Sequence, residues 1–307
     1  MSSLDKKEPP AGVALAGAGT AAVAAKPRVR RHRTKSNLLR QLLAGPFMIW
    51  IVIFTVVPLV LMFSRGFTTK DGAFTLDNVL AITNPIYLKA LVLALELSLV
   101  ATAVCLLLAY PLALILRGMK HGSAGAIVFI FVLPMWMNSL LRTIAWQSLL
   151  EKEGVINGIL EAIGLPGIGI INTPAAVVLG MVYNYLPFMV LPLYNALVKI
   201  DDDIIDASHD LGAGFWQTLR RVLVPQSVAG IVSGVTMVFV PSLTTFVVSD
   251  ILGGGKVALI GNLIEQQFTV SYDWNTGAGL SIVLMLFVLA SMAIMNAFDK
   301  TGEGRLM

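Results

Sequence analysis

The 307 residues carry 22 Lys and Arg against 18 Asp and Glu, so 13% of the chain is charged, about half of the roughly 25% usual in soluble domains. Apolar residues make up 56% and mean hydropathy is +0.80. Too little polar surface exists to solvate two globular bodies, and disorder, collagen and coiled coil are excluded by the same numbers. Cys105 is the one cysteine, and His32, His121 and His209 are scattered. No intrachain disulfide and no metal cluster are therefore expected, and the composition is that of an integral membrane protein.

The chain opens with an Ala-, Gly- and Pro-rich stretch that ends in a basic run from Lys26 to Arg40. Residues 1–41 read as a disordered basic cytoplasmic tail. A charged segment before an apolar one could be a secretory signal, but the apolar run that follows is about 20 residues long. That exceeds the usual signal length, and no small-residue cleavage site follows Met62. It reads as an uncleaved first helix. The basic run could bind nucleic acid, yet a topology determinant beside anionic headgroups is the simpler reading, and no nucleic-acid partner is expected.

Crossing a hydrocarbon layer of ~30 Å takes ~20 residues at 1.5 Å each. Six apolar runs meet this, at about 43–63, 88–116, 124–146, 175–198, 228–248 and 278–298. They are too long and too little alternating for barrel strands, so they predict helices, which satisfy their own backbone groups in lipid. Near the span ends, 14 Lys and Arg fall on the side of the two termini and 6 on the other. Both termini are therefore expected in the cytoplasm. The expectation is an all-α polytopic domain over 42–299 with six transmembrane helices and a short cytoplasmic tail at 300–307.

The segment between the fourth and fifth spans, IDDDIIDASHDLGAGFWQTLRRVLVPQS at 200–227, differs from the other connections. Asp201, Asp202 and Asp203 suit a helix start, where carboxylates satisfy free N–H groups and meet the positive end of the macrodipole. Ile204, Ala207, Ser208 and Leu211 follow a helical period. Gly212 stands where that helix should end, because glycine reaches the left-handed conformation without steric cost. A second helix would place Phe215, Leu219, Val222 and Leu223 on one stripe.

This segment resembles the cytoplasmic coupling loop of binding-protein-dependent ABC transporter permeases, with the pattern E-A-A, three residues, G, nine residues, I, one residue, L-P. Asp206, Ala207 and Ser208 match its start, Gly212 its glycine, and Val222, Val224 and Pro225 its close. Asp for Glu and Ser for Ala are departures. Four further stretches, LPMWMNSLLRTIAWQSLLEKEGVIN (133–157), GMVYNYLPFMVLPLYNAL (180–197), VVSDILGGGK (247–256) and IGNLIEQQF (260–268), resemble the spermidine/putrescine permease subfamily. Permeases for other small amines, amino-acid derivatives and phosphonates share much of the pattern.

The resemblance implies a MetI-like importer permease fold in the bacterial inner membrane. It implies a heterodimer with a second permease subunit, two ATPase subunits and an extracytoplasmic substrate-binding protein. Asp206, Ala207, Ser208, Gly212 and Pro225 would then couple the chain to the ATPase. ATP and Mg would bind that ATPase, and this chain would carry no cofactor and no enzymatic activity of its own. Gly253-Gly254-Gly255-Lys256 is not a phosphate loop, since Asp250 and Val257 stand where Gly and Ser or Thr are required.

A polyamine crossing a low-dielectric region needs acidic and aromatic groups along its path. Glu96 lies inside the second span, where an ionisable residue is costly; a structural carboxylate bonded to a neighbouring helix is the equal alternative. Trp136 and Asn138 follow Pro134, and Tyr183, Asn184 and Tyr185 precede Pro187. Prolines in spans free backbone carbonyls, which marks transport sites but also tight helix packing. Asp250, at the outer end of the fifth span, could attract cations or meet the binding protein. An ion-driven carrier would show more spans or several buried acids, whereas only Glu96 is expected to be buried. An intramembrane enzyme would need a Ser–His pair or His ligands at depth, and no histidine lies in a span.

Overall fold

The computed structural model describes residues 45–119 and 121–303. The basic tail, the start of the first predicted span, Lys120 and residues 304–307 lie outside these. The described residues divide between Ile53 and Phe54 into two units. Of the first, residues 45–53 are described and helical. Among the described residues the structure is helical apart from turns and one antiparallel bridge, Thr68 to Phe74.

In chain order the helices of seven residues or more are α1 (Gly45–Gly66), α2 (Pro85–Arg117), α3 (His121–Val132), α4 (Ser139–Leu150), α5 (Val155–Ala162) and α6 (Pro174–Val198). They continue with α7 (Asp202–Asp210), α8 (Phe215–Gln226), α9 (Val228–Thr244), α10 (Val247–Gly253), α11 (Ile260–Thr269) and α12 (Trp274–Glu303). Helices α1, α2, α6 and the α12 stretch Trp274–Ala297 are each long and apolar enough to cross a membrane. Two bent pairs supply six crossings in all if each pair counts as one.

The centre of the second unit is a bundle of α2, α6 and α9, with α12 against α9 and α10 packed on α4 and α6. Close approach is built into the sequence. Along α2, Ala90, Ala94, Ser98, Ala101, Cys105, Ala109 and Ala113 recur at three- and four-residue spacing, and all are buried. Small side chains let helix backbones approach where lipid offers no hydrophobic drive. Cys105 Sγ sits 3.8 Å from Val182 O on α6. On α9, a Cβ at Gly230 would lie 2.5 Å from Ala196 Cβ and 2.9 Å from Pro192 O, so glycine is required by contact with α6. Pro187 and Pro192 lie within α6 without ending it.

One expectation about the spans is overturned. The third apolar run is not a single straight helix: a 3-10 turn at Leu133–Trp136 and extended Met137 separate α3 from α4. The segments Gly125–Trp136 and Ser139–Ala162 bend by 93°. Pro134 opens the turn, and Asn138 starts a new helix by accepting the Leu140 N–H at 2.8 Å. The fifth run likewise stops early, at Thr244, before extended Thr245 and a separate α10.

Candidate functional site

The 200–227 segment folds as its caps dictate. Asp201 accepts the Asp203 N–H at 3.3 Å and opens α7. At the other end Gly212 has φ +78°. The Gly212 N–H donates to His209 O at 2.8 Å and the Ala213 N–H to Ser208 O at 3.0 Å, the paired bonds of a Schellman stop. Helix α8 begins with the Gly214 N–H donating to Gln217 Oε1 at 3.1 Å. It includes a π-helical stretch, Leu219–Leu223. Ser208 and Thr218 hydroxyls share a hydrogen bond of 3.0 Å, which holds α7 to α8.

Asp206, Ala207, Gly212 and Pro225 are exposed, whereas Ser208 is half-buried and bonded inward. The expected stripe on α8 is graded: Leu223 is buried, Leu219 and Val222 are half-buried, and Phe215 is 60% exposed. Trp216 at 77% and Leu211 at 89% extend the apolar surface. The Phe215 and Trp216 rings meet edge-on at 5.6 Å, with the exposed Arg220 and Arg221 following in the next turn. An apolar patch rimmed by charge is the form of a protein contact surface.

Both ends of the segment are tied to α2. Arg117, in the last turn of α2, donates from Nε to Leu197 O at 2.9 Å and from Nη2 to Ile200 O at 2.9 Å and Asp202 Oδ1 at 2.6 Å. These carbonyls lie where α6 ends; Leu197 O also takes the Ile200 N–H at 3.2 Å, and the guanidinium adds a charged donor where the helix supplies few. At the far end, the hydroxyls of Tyr110 and Ser227 lie 3.0 Å apart. A shift of α7 therefore reaches α2 and α6 through direct bonds. Sequence reading counted Arg117 only toward topology; its place in the last turn of a long helix was the available signal.

The candidate path residues divide. Asn184 is buried on α6, with Nδ2 donating to Gly180 O at 2.9 Å and lying 3.5 Å from Thr143 Oγ1 of α4. The Tyr185 hydroxyl donates to Pro241 O at 3.4 Å. Tyr183 is half-exposed and meets the Trp146 ring edge-on at 5.3 Å. Trp136 and Asn138 stand apart at the bend: Trp136 packs edge-on against Phe129 at 6.2 Å, and Asn138 is a helix cap. Asp250 is exposed on α10. Glu96, expected to be buried, is exposed on the outward stripe of α2 with Leu99, Ala103 and Leu107, because the small-residue stripe takes the inward face.

Two residues join this region: Arg142, counted in the sequence only toward topology, and Thr143, which carried no signal there. Arg142 of α4 is 7% exposed, and its neighbour Thr143 is fully buried beside Asn184. An arginine within the third predicted span was the signal for Arg142.

A family model for the inner membrane component of binding-protein-dependent transport systems matches residues 17–301. The spermidine/putrescine transport system permease protein PotB of Escherichia coli K12 is 38% identical over 245 residues, 77% of this chain and 89% of the relative. PotB of Haemophilus influenzae is 35% identical over 261 residues, 82% and 91% of the two chains. The inner membrane ABC transporter permease protein YdcU of E. coli K12 is 31% identical over 283 residues, 84% and 90%. Among solved structures, a chain of a bacterial alginate ABC transporter, in complex with its alginate pentasaccharide-bound periplasmic protein, superposes with a TM-score of 0.72. The identity is 17%, over 87% of this chain and 96% of that one, a likeness of fold.

Proposed function

The chain belongs to the inner membrane components of binding-protein-dependent transport systems, and from that premise we propose that it forms one half of the membrane pathway of an ATP-driven importer for polyamines such as spermidine and putrescine. It is a multi-pass permease subunit of the inner membrane. Family membership sets aside an ion-driven carrier. Substrate class rests on the 35–38% identity to spermidine/putrescine permeases over most of the chain. Another small amine, an amino-acid derivative or a phosphonate is the alternative.

In this reading the 200–227 segment faces the cytoplasm and docks on an ATPase subunit that holds ATP and Mg. A second permease, a second ATPase subunit and an extracytoplasmic binding protein complete the machine. The observation that carries the coupling role is the exposed surface of Ala207, Gly212, Phe215 and Trp216 on a segment bonded to α2 at both ends. Closure of the ATPase pair would push α7, and Arg117 and Tyr110 would carry the displacement into the α2, α6 and α9 bundle, changing access from one side to the other. The Trp146–Tyr183 pair offers aromatic faces to an ammonium group. Glu96 and Asp250 supply carboxylates on surfaces open to a companion chain or the pathway.

The test is Gly212→Leu in the assembled importer. Membrane insertion should persist while substrate uptake separates from ATP hydrolysis; undiminished uptake would remove the coupling assignment. Ligand class is read independently, by thermal shift of the cognate binding protein against a panel of polyamines and related amines. Failure of every polyamine to raise its unfolding temperature would redirect the substrate assignment alone.

A further inference from the structure

Arg142 precedes Thr143 on α4, and the Thr143 hydroxyl lies 3.5 Å from Asn184 Nδ2, ten residues into α6, or about 15 Å along that helix. The Arg142 Nε and Nη1 are buried and have no hydrogen-bond partner in the chain. The same holds for Asn184 Oδ1 and for Ser242 Oγ on α9. Among the described residues one ion pair occurs, between Arg117 and Asp202, so no carboxylate answers this guanidinium. None is at hand: α4, α6 and α9 contain no Asp or Glu, and Asp250 of α10 is exposed. An arginine stays charged at any working pH, and a buried charge persists only when it is paired.

We propose that the junction of α4 and α6 is an anion site, in which Arg142 binds chloride or a carboxylate through its planar fork. On the α9 side of α6, Pro241 O takes the Tyr185 hydroxyl, and the next residue, Ser242, holds a buried hydroxyl without a partner. The Asn184 oxygen, an acceptor, is left for a water beside the bound anion. The anion comes either as a free ion or as an acidic side chain of the companion permease; the second source rests on the importer reading above, the first does not. Either one cancels the positive potential that Arg142 would project onto the nearby Trp146–Tyr183 pair, and so onto a cation passing it.

The test uses the assembled importer in lipid nanodiscs, with chloride titrated against gluconate at constant ionic strength and unfolding followed by tryptophan fluorescence. For a free-ion site, chloride raises the unfolding midpoint of the wild type. Arg142→Met abolishes that rise, and Arg142→Lys keeps it at higher chloride, because a point charge lacks the fork. For a site filled by the companion chain, the midpoint is insensitive to chloride, and the companion is lost from Arg142→Met on purification but retained by Arg142→Lys. A midpoint insensitive to chloride, together with unchanged copurification in whichever variants accumulate, overturns the proposal. So does an equal chloride response in wild type and Arg142→Met.

Discussion

Removing the Arg117 guanidinium would release three oxygen acceptors at once: Leu197 O, Ile200 O and the Asp202 carboxylate. The carboxylate matters least, because the Asp202 side chain is 85% exposed and water screens the pair. Asp202→Ala should therefore lower stability by no more than about 1 kcal/mol. Arg117→Ala should cost about 1.5–3 kcal/mol, the range for hydrogen bonds from a charged donor. It should also reduce uptake more than Asp202→Ala does; paired thermal unfolding and transport assays check both. Gly212 separates backbone from surface in the same way. A Cβ there meets nothing within 4 Å, but φ is +78°, so Gly212→Ala should cost about 1 kcal/mol by conformation alone. Gly212→Asn should cost less, since asparagine tolerates the left-handed region. A larger functional loss for Gly212→Leu than for Gly212→Ala, read as uptake per transporter, would locate the partner contact at this position.

At the scale of the element, α2 and α6 show how a span is specified beyond hydropathy. The small-residue stripe of α2 is legible in sequence as a three- and four-residue spacing, though hydropathy alone treats Ala101 and Leu99 alike. Ala101 is fully buried and Leu99 is 59% exposed. Ala101→Leu should overpack the helix contact and cost about 1–3 kcal/mol, whereas Leu99→Ala should leave the bundle intact; unfolding of the solubilised protein distinguishes them. The break between α3 and α4 was not legible in the same way. Apolar character continues across Met135, Trp136 and Met137, so a hydropathy window sees one span. Pro134 and the Asn138 cap end one helix and start another within it. Asn138→Ala should cost about 1 kcal/mol through loss of the cap, and it tests whether Asn138 acts through the bend.

For the whole molecule, Phe215 and Trp216 define where this chain ends and its assembly begins. Their rings touch each other and are mostly exposed, so burial within the chain gives no reason to keep them. Trp216→Ala should change the stability of the isolated chain by less than about 0.5 kcal/mol, as for an exposed position. It should nevertheless weaken copurification with the ATPase and lower uptake, because aromatic anchors dominate contact surfaces. Retained copurification and uptake would move the docking surface elsewhere.

By itself the sequence determined the membrane class, the apolar runs and the position of the 200–227 segment, since hydropathy, charge and motif spacing are properties of neighbours along the chain. The caps of α7 were legible for the same reason: Asp201 and Gly212 act within a few residues of themselves. Only the tertiary structure decided that Arg117 closes on residues 80 to 85 positions away and that Tyr110 meets Ser227 at a separation of 117. It alone turned Glu96 outward and Arg142 inward. Both are charges within predicted spans, and which of them is covered depends on the face each helix gives to its neighbours. Packing sets that face, and packing is a contest among all the helices at once.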